Sequence, residues 1–402
     1  MPGIRILRAR TSDETHRVTT FELFFDLVFV FAFTQVTQYM AHEHSAEGVL
    51  QALIILGILW WSWTSYSWLA NQTFVDEGIV RGGMAVAMVA MFIVALVIPE
   101  AYSDLEGGLD GPLVLAIAYG VVRAAHLALY LLAAGDDAGL RRQILITTVP
   151  MVIGVSLIVA GALLGDGLQT VLWGAALVLD LGITYATSRS GNWRIHSAGH
   201  WSERYGLVVI LALGESIVAI GVGAADLPIS VPVLLGAVLA IGLSVLLWWL
   251  YFDVISIAAE HEFAARRGAA RATLAVEAYT YLHLLLIAGI VLSALGVEEV
   301  IAHVEAGDPL GLFGAGALFG GTSLYLAAHA FFWRRVGRAW KWWRLGAATV
   351  LLALVPVGSE LPALAALALV VAVTAVPVVV ETIRYREHRA EVREHVHPGA
   401  SG

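Results

Sequence analysis

The 402-residue chain is 59% apolar and only 14% charged, carries a formal net charge of −9 and has no cysteine. A soluble domain is roughly 45–50% apolar and about 25% charged, so this chain has too few polar side chains to face water on all sides, and the solvent implied is lipid. The charge balance leaves no basic footprint for nucleic acid, and the missing thiols exclude disulfides, thiolate metal sites and cysteine nucleophiles.

A helix that crosses the hydrocarbon needs about 20 mainly apolar residues at about 1.5 Å each. Twelve stretches meet this requirement: 21–41, 48–70, 81–99, 112–134, 143–165, 168–187, 206–223, 231–257, 273–295, 311–333, 345–357 and 362–383. Lipid cannot hydrogen-bond backbone groups, so each stretch is predicted to be a helix. The eleventh is short and reaches full length only with Trp342 and Trp343 at the interface. The first carries Glu22 and Asp26 with no small-residue cleavage site after it, so it reads as a span rather than a signal peptide.

The cations set the expected orientation. Of the 23 Lys and Arg, 22 fall before the first span or after the even-numbered ones, and the six opposite loops hold none. Both termini are therefore expected in the cytoplasm and the protein in the cell membrane as a multi-pass chain. The outer loops carry acids, among them Glu43, Glu100, Asp104, Asp110, Glu298 and Glu305, and such a face attracts cations.

Local patterns recur in the same order in the two halves. Glu22 and Thr34 share the spacing of Glu203 and Glu215; Trp60-Trp61 matches Trp248-Trp249; Ala124-Ala125-His126 matches Ala327-Ala328-His329; Arg142 matches Arg344. The expected architecture is an all-α integral membrane protein with two parallel six-helix repeats. Residues 1–20 form a cytoplasmic N-terminal segment, 21–187 the first repeat, 188–205 a cytoplasmic linker, 206–383 the second repeat and 384–402 a disordered cytoplasmic tail.

The stretch Thr20 to Gln35, TFELFFDLVFVFAFTQ, and the later stretch Trp201 to Ala219, WSERYGLVVILALGESIVA, resemble bacterial low temperature requirement A proteins, with the span pattern agreeing over 16–385. The resemblance implies a multi-span membrane protein linked by name to growth in the cold; it carries no agreed activity and no catalytic residue. The run from Phe24 to Thr34 also looks like the first helix of endolysosomal and bacterial potassium channels with an Arg-x-x-x-Phe-Ser-Asp signature. Here Phe25 stands in place of the serine, Arg17 lies nine residues before Asp26, and Glu203 to Ser216 lacks the signature.

Ionisable groups at membrane depth are costly and mark candidate sites. Glu22 and Asp26 lie four apart on one helical face. Tyr119, Arg123, His126 and Tyr130 fall on one stripe of the fourth span. Arg123 is too deep to snorkel and needs a carboxylate, with Asp26, Asp180 and Glu215 as candidates. Glu215, near mid-depth beside Gly214, is the best placed to bind and release a proton. Asp253 and Glu277 read as interfacial, His283 as an interior histidine and His329 as interfacial. The pairs His42/His44, His196/His200 and His395/His397 offer two nitrogens each, too few for a metal site. Trp60, Trp61 and Trp63 are candidates to line a cavity, and the glycines of 311–321 suit close helix packing or a hinge.

Three functional classes fit. A secondary transporter working through a midplane site with buried carboxylates ranks first. A cation channel built on six-span repeats is the alternative, followed by a non-transporting membrane protein of cold or stress adaptation. No nucleophile–base or multi-histidine set points to an enzyme. The expected partners are the bilayer, protons or monovalent cations and a small solute; no cofactor, metal or nucleic acid is expected. The sequence leaves the oligomeric state open.

Overall fold

The computed structural model describes residues 14–188, 193–305 and 307–384. Arg5, Arg8, Arg10, Arg189, Arg386, Arg389, Arg393, the His395/His397 pair and the tail beyond 384 lie outside the described residues. Among the described residues there is no strand, and eleven helices are long and apolar enough to cross a membrane. The protein is an all-α, multi-span integral membrane protein.

The chain divides into two compact units, one of residues 1–205 with 266–280 and the other of 206–265 with 281–402. The first unit contains α1 (Thr20–Glu43), α2 (Ala46–Gln72), α3 (Gly78–Val97), α4 (Gly111–Ala134), α5 (Ala138–Leu164), α6 (Asp166–Ser188) and the opening turns of α7 (Ala198–Ala224). It also holds α10 (Gly268–Leu274) and most of the π-helical turn Ala275–Leu282. Its helix starts follow the local chemistry. Thr19 and Glu22 form a reciprocal capping box that starts α1, satisfying donors that the first turn cannot. Ser45, Asp110 and Asp137 cap α2, α4 and α5 with side-chain oxygens. His44, in the left-handed region at φ 41°, ends α1 and allows α2 to start within three residues.

Helix α2 is the core of this unit. Every residue from Ile54 to Gln72 except Ser65 is buried. The outer helices instead leave one apolar face uncovered, as at Val149, Val152, Val171 and Val178. In a membrane protein such faces meet acyl chains.

The second unit continues α7 and adds α8 (Val231–Phe252), α9 (Ile255–Ala264), α11 (His283–His303), α12 (Gly311–Ala315), α13 (Gly321–Gly337), α14 (Trp342–Ala353), α15 (Val355–Glu360) and α16 (Ala363–Arg384). The π-helical turn Gly316–Gly320 joins α12 to α13. Here α11 is the buried helix, and glycines let α13 approach it at backbone distance. A Cβ on Gly289 would lie 2.6 Å from the Tyr325 amide nitrogen. Gly321 faces the Ser293 backbone in the same way, so part of the glycine-rich tenth span serves close packing.

Two boundaries differ from the hydropathy reading. The eleventh stretch is not one helix: α14 stops at Ala353 and α15 restarts at Val355, next to Pro356. A proline supplies no backbone donor and crowds the preceding turn, so eleven helices reach spanning length where twelve stretches were apolar enough. The seventh helix begins at Ala198, eight residues before the apolar run, because its first two turns are polar and buried.

Candidate functional site

The first turns of α7 carry His200 and Arg204, four residues apart and so on one helical face. Both are buried, and they meet Glu22 and Asp26 of α1, which repeat that spacing. Arg204 Nη1 donates to Asp26 Oδ2 at 2.8 Å and to the Glu22 carbonyl at 3.3 Å, while its Nε lies 3.6 Å from Glu22 Oε2. His200 Nε2 lies 2.8 Å from Glu22 Oε2. Helix α2 closes the set: Trp63 Nε1 donates to Asp26 Oδ1 at 3.0 Å, Ser67 Oγ accepts from Arg204 Nη2 at 3.4 Å, and the guanidinium lies over the Trp63 ring.

Asn71 of α2 orients the His200 ring. Asn71 Oδ1 accepts the His196 amide at 2.7 Å and its Nδ2 donates to the Ser197 carbonyl at 2.8 Å, which fixes the amide's orientation. The second hydrogen on Asn71 Nδ2 then points to His200 Nδ1, 3.2 Å away. With that nitrogen as acceptor, Nε2 is the donor to Glu22. Two carboxylates and one guanidinium leave the set one positive charge short of neutrality. His16, buried and stacked on the His200 ring at 4.4 Å, belongs to the same group.

His16, Glu22 and His200 bring one ligand atom each within 4.8 Å of one another, which is the spacing a metal ion would need. The grouping joins His200 to His16 and Glu22, where the sequence pairs it with His196. Arg204 shares the Glu22 oxygen, so a divalent ion would leave an excess of positive charge in a buried place. A single positive charge balances it.

A second buried ion pair lies on another face of α2. Arg123 Nη2 is 3.4 Å from Asp180 Oδ2 of α6, and Arg123 Nη1 donates to Ser65 Oγ at 3.3 Å. Of the three carboxylates offered by the sequence, Asp180 is the partner recorded for Arg123. Trp61 and Tyr119 flank the guanidinium, and His126 and Tyr130 follow on the same stripe of α4. On the α2 wheel, at about 100° per residue, Trp61, Ser65 and Trp68 cluster about 130° round from Trp63, Ser67 and Asn71. One helix thus serves both ion pairs.

In the second unit, Arg344 grips Glu381 with two contacts of 2.8 Å, also donates to the Leu250 carbonyl at 3.1 Å, and meets the His329 ring. Lys341 Nζ shares Glu381 at 3.3 Å. Burial pulls the Lys341 ammonium below the usual lysine range, while Glu381 opposes that pull. A cavity of about 210 Å³ opens beside these residues, with Trp249, Trp333, Trp340 and Asp253 in its wall.

The candidates therefore separate. Glu22 and Asp26 come together with Arg204; Arg123, His126 and Asp180 form a second group. Glu215 is buried in the second unit, on the same helix as Arg204 but eleven residues further on. Asp253 caps α8, Glu277 is half-buried on the π-helical turn, and His283 bonds the Tyr251 hydroxyl at 2.8 Å. His329 is buried rather than interfacial. The sequence reading counts Arg204 as a loop cation and pairs His200 with His196 alone, because both precede the apolar run. Their i, i+4 spacing, matching that of Glu22 and Asp26, is the signal that pairs the two segments.

A family model, Bacterial low temperature requirement A protein (LtrA), matches residues 17–379. The chain belongs to the bacterial low temperature requirement A family. An uncharacterized protein of Rhizobium meliloti (strain 1021) is 31% identical over 337 residues, covering 80% of this chain and 78% of its own. No solved structure matches the chain. Both stretches that carry the family resemblance in sequence, Thr20 to Gln35 and Trp201 to Ala219, contribute to the ion cluster: the first supplies Glu22 and Asp26, the second Arg204.

Proposed function

We propose that this member of the family is a secondary-transporter-like protein of the cell membrane, moving a small solute or ion with a proton as the coupling charge. The observation that carries the reading is the cluster of Glu22, Asp26, Arg204 and His200, which is buried, hydrogen-bonded throughout and one positive charge short. A buried net charge is expensive, so a proton or a monovalent cation completes the set. The proton has four places to go: His16, His200, Glu22 and Asp26. Gain or loss of that one charge changes the balance that holds α1, α2 and α7 together, and this is the means by which a bound proton biases a conformational equilibrium. Cytoplasmic termini and 6+6 repeats are part of the same reading. Glu215 is assigned as the second proton-binding acid on α7.

Purified protein in liposomes with an imposed pH gradient and an internal dye tests this. Wild type should dissipate the gradient. Asp26→Asn leaves the cluster neutral without a proton and should abolish proton movement while the protein still folds; Glu215→Gln should do the same. Potassium permeation that persists unchanged in both variants would favour a channel. Absence of flux of any ion in wild type would sink the transport reading.

A further inference from the structure

Between α2, α4, α5 and α6 of the first unit lies a cavity of about 70 Å³ beside Arg123. One water centre needs roughly 10–15 Å³, so the space suits several waters or one molecule of a few heavy atoms. Six polar atoms on its lining residues are buried with no hydrogen-bond partner in the protein: Trp61 Nε1, Thr64 Oγ1, Arg123 Nε, His126 Nε2, Tyr130 Oη and Trp193 Nε1. Arg123 and Tyr130 are each more than nine-tenths buried. Buried polar groups are nearly always satisfied, and six orphans around one space point to something that satisfies them together.

The chemistry of these atoms narrows the occupant. Arg123 Nε, Trp61 Nε1 and Trp193 Nε1 can only donate, and the Tyr130 and Thr64 hydroxyls donate readily. Of the neighbouring hydroxyls, Thr147 and Thr148 donate to carbonyls of their own helix and Ser65 donates to the Trp61 carbonyl, which leaves Thr64 Oγ1 to face the space. Arg123 is also the loosely held arginine. It reaches Asp180 at 3.4 Å, whereas Arg204 and Arg344 contact their acids at 2.8 Å. The Arg123–Asp180 pair is neutral, so an anion enters at no net charge only together with a proton.

We propose that this cavity binds a small monocarboxylic acid. Its two oxygens accept from Arg123, Tyr130 and Trp193, and its proton passes to Asp180, so the only bonds that change are O–H. The titratable groups around the site are Arg123, His126, Tyr130 and Tyr119 from α4, Asp180 from α6 and Tyr66 from α2; α5 lines it with threonines and apolar side chains alone. The site is separate from the Glu22 cluster, and its occupancy is measurable whether or not the protein transports.

Acetate is the probe, added to the purified full-length protein at constant ionic strength, with acetamide as the uncharged control of similar shape. Acetate should raise the unfolding temperature saturably and acetamide should not. Calorimetry in two buffers of different ionisation heat should show uptake of one proton per acetate bound near neutral pH. Tyr130→Phe and Trp193→Phe each delete one donor and keep the ring, and each should weaken acetate binding about tenfold or more. Absence of a saturable effect, equal stabilisation by acetamide, binding without proton uptake, or unchanged affinity in both variants would each overturn the proposal. Binding of acetate without flux in liposomes would leave this site standing and remove the transport reading.

Discussion

Arg204 holds two acids at once, Asp26 at 2.8 Å and Glu22 at 3.6 Å, and it is almost wholly shielded from solvent. Removing it leaves two carboxylates facing each other in a dry place. Arg204→Gln should therefore cost about 3–5 kcal/mol of stability, and Asp26→Asn added to it should recover part of the loss, measured by denaturation in detergent. No recovery in the double variant would mean that Arg204 acts by packing on Trp63 rather than by charge. The Arg123 pair makes a similar prediction. Arg123→Gln should destabilise strongly, and Asp180→Asn should rescue it where Asp26→Asn and Glu215→Gln do not. Rescue by either of the other two acids would overturn the pairing.

At the scale of elements, two kinds of helix do different work. Helix α2 is surrounded by protein and can therefore present tryptophans and hydroxyls to two ion pairs on separate faces. A helix facing lipid cannot, since each unsatisfied polar group in hydrocarbon costs several kcal/mol. Helices α11 and α13 do structural work through glycines. Gly289→Ala would set a Cβ 2.6 Å from a backbone nitrogen of α13 and should lower the unfolding temperature. Gly214→Ala, whose Cβ meets nothing within 4 Å, should be neutral or stabilising by up to about 1 kcal/mol, as alanine replaces glycine inside a helix. If both changes have the same effect, close approach is not what selects glycine at 289.

For the whole molecule, the testable quantity is orientation. The chain has no cysteine, so single cysteines report without background. Ser103 and Ala264 are both exposed, the first after the third spanning helix and the second at the end of the eighth. With cytoplasmic termini, a cysteine at Ser103 should label from outside intact cells and one at Ala264 only after the membrane is opened. Labelling of Ala264 from outside would reverse the model of cytoplasmic loops rich in arginine.

The sequence by itself determined the class of the protein. Apolar runs of spanning length have no other stable form in lipid, so the all-helical fold was legible in the sequence. It also marked Glu22, Asp26, Arg123, His126 and Asp180, because a charge at membrane depth stands out against its neighbours. Pairing was decided only in three dimensions. Arg123 had three possible acids, and the packing of α5 against both α4 and α6 brings Asp180 to it. Arg204 and His200 were hidden for the opposite reason: hydropathy ends a span where polar residues begin, but a polar turn can stay inside when its partners are already there. Tertiary structure supplies those partners from α1, 178 residues earlier in the chain for both His200–Glu22 and Arg204–Asp26, a separation at which no local pattern carries information about contact.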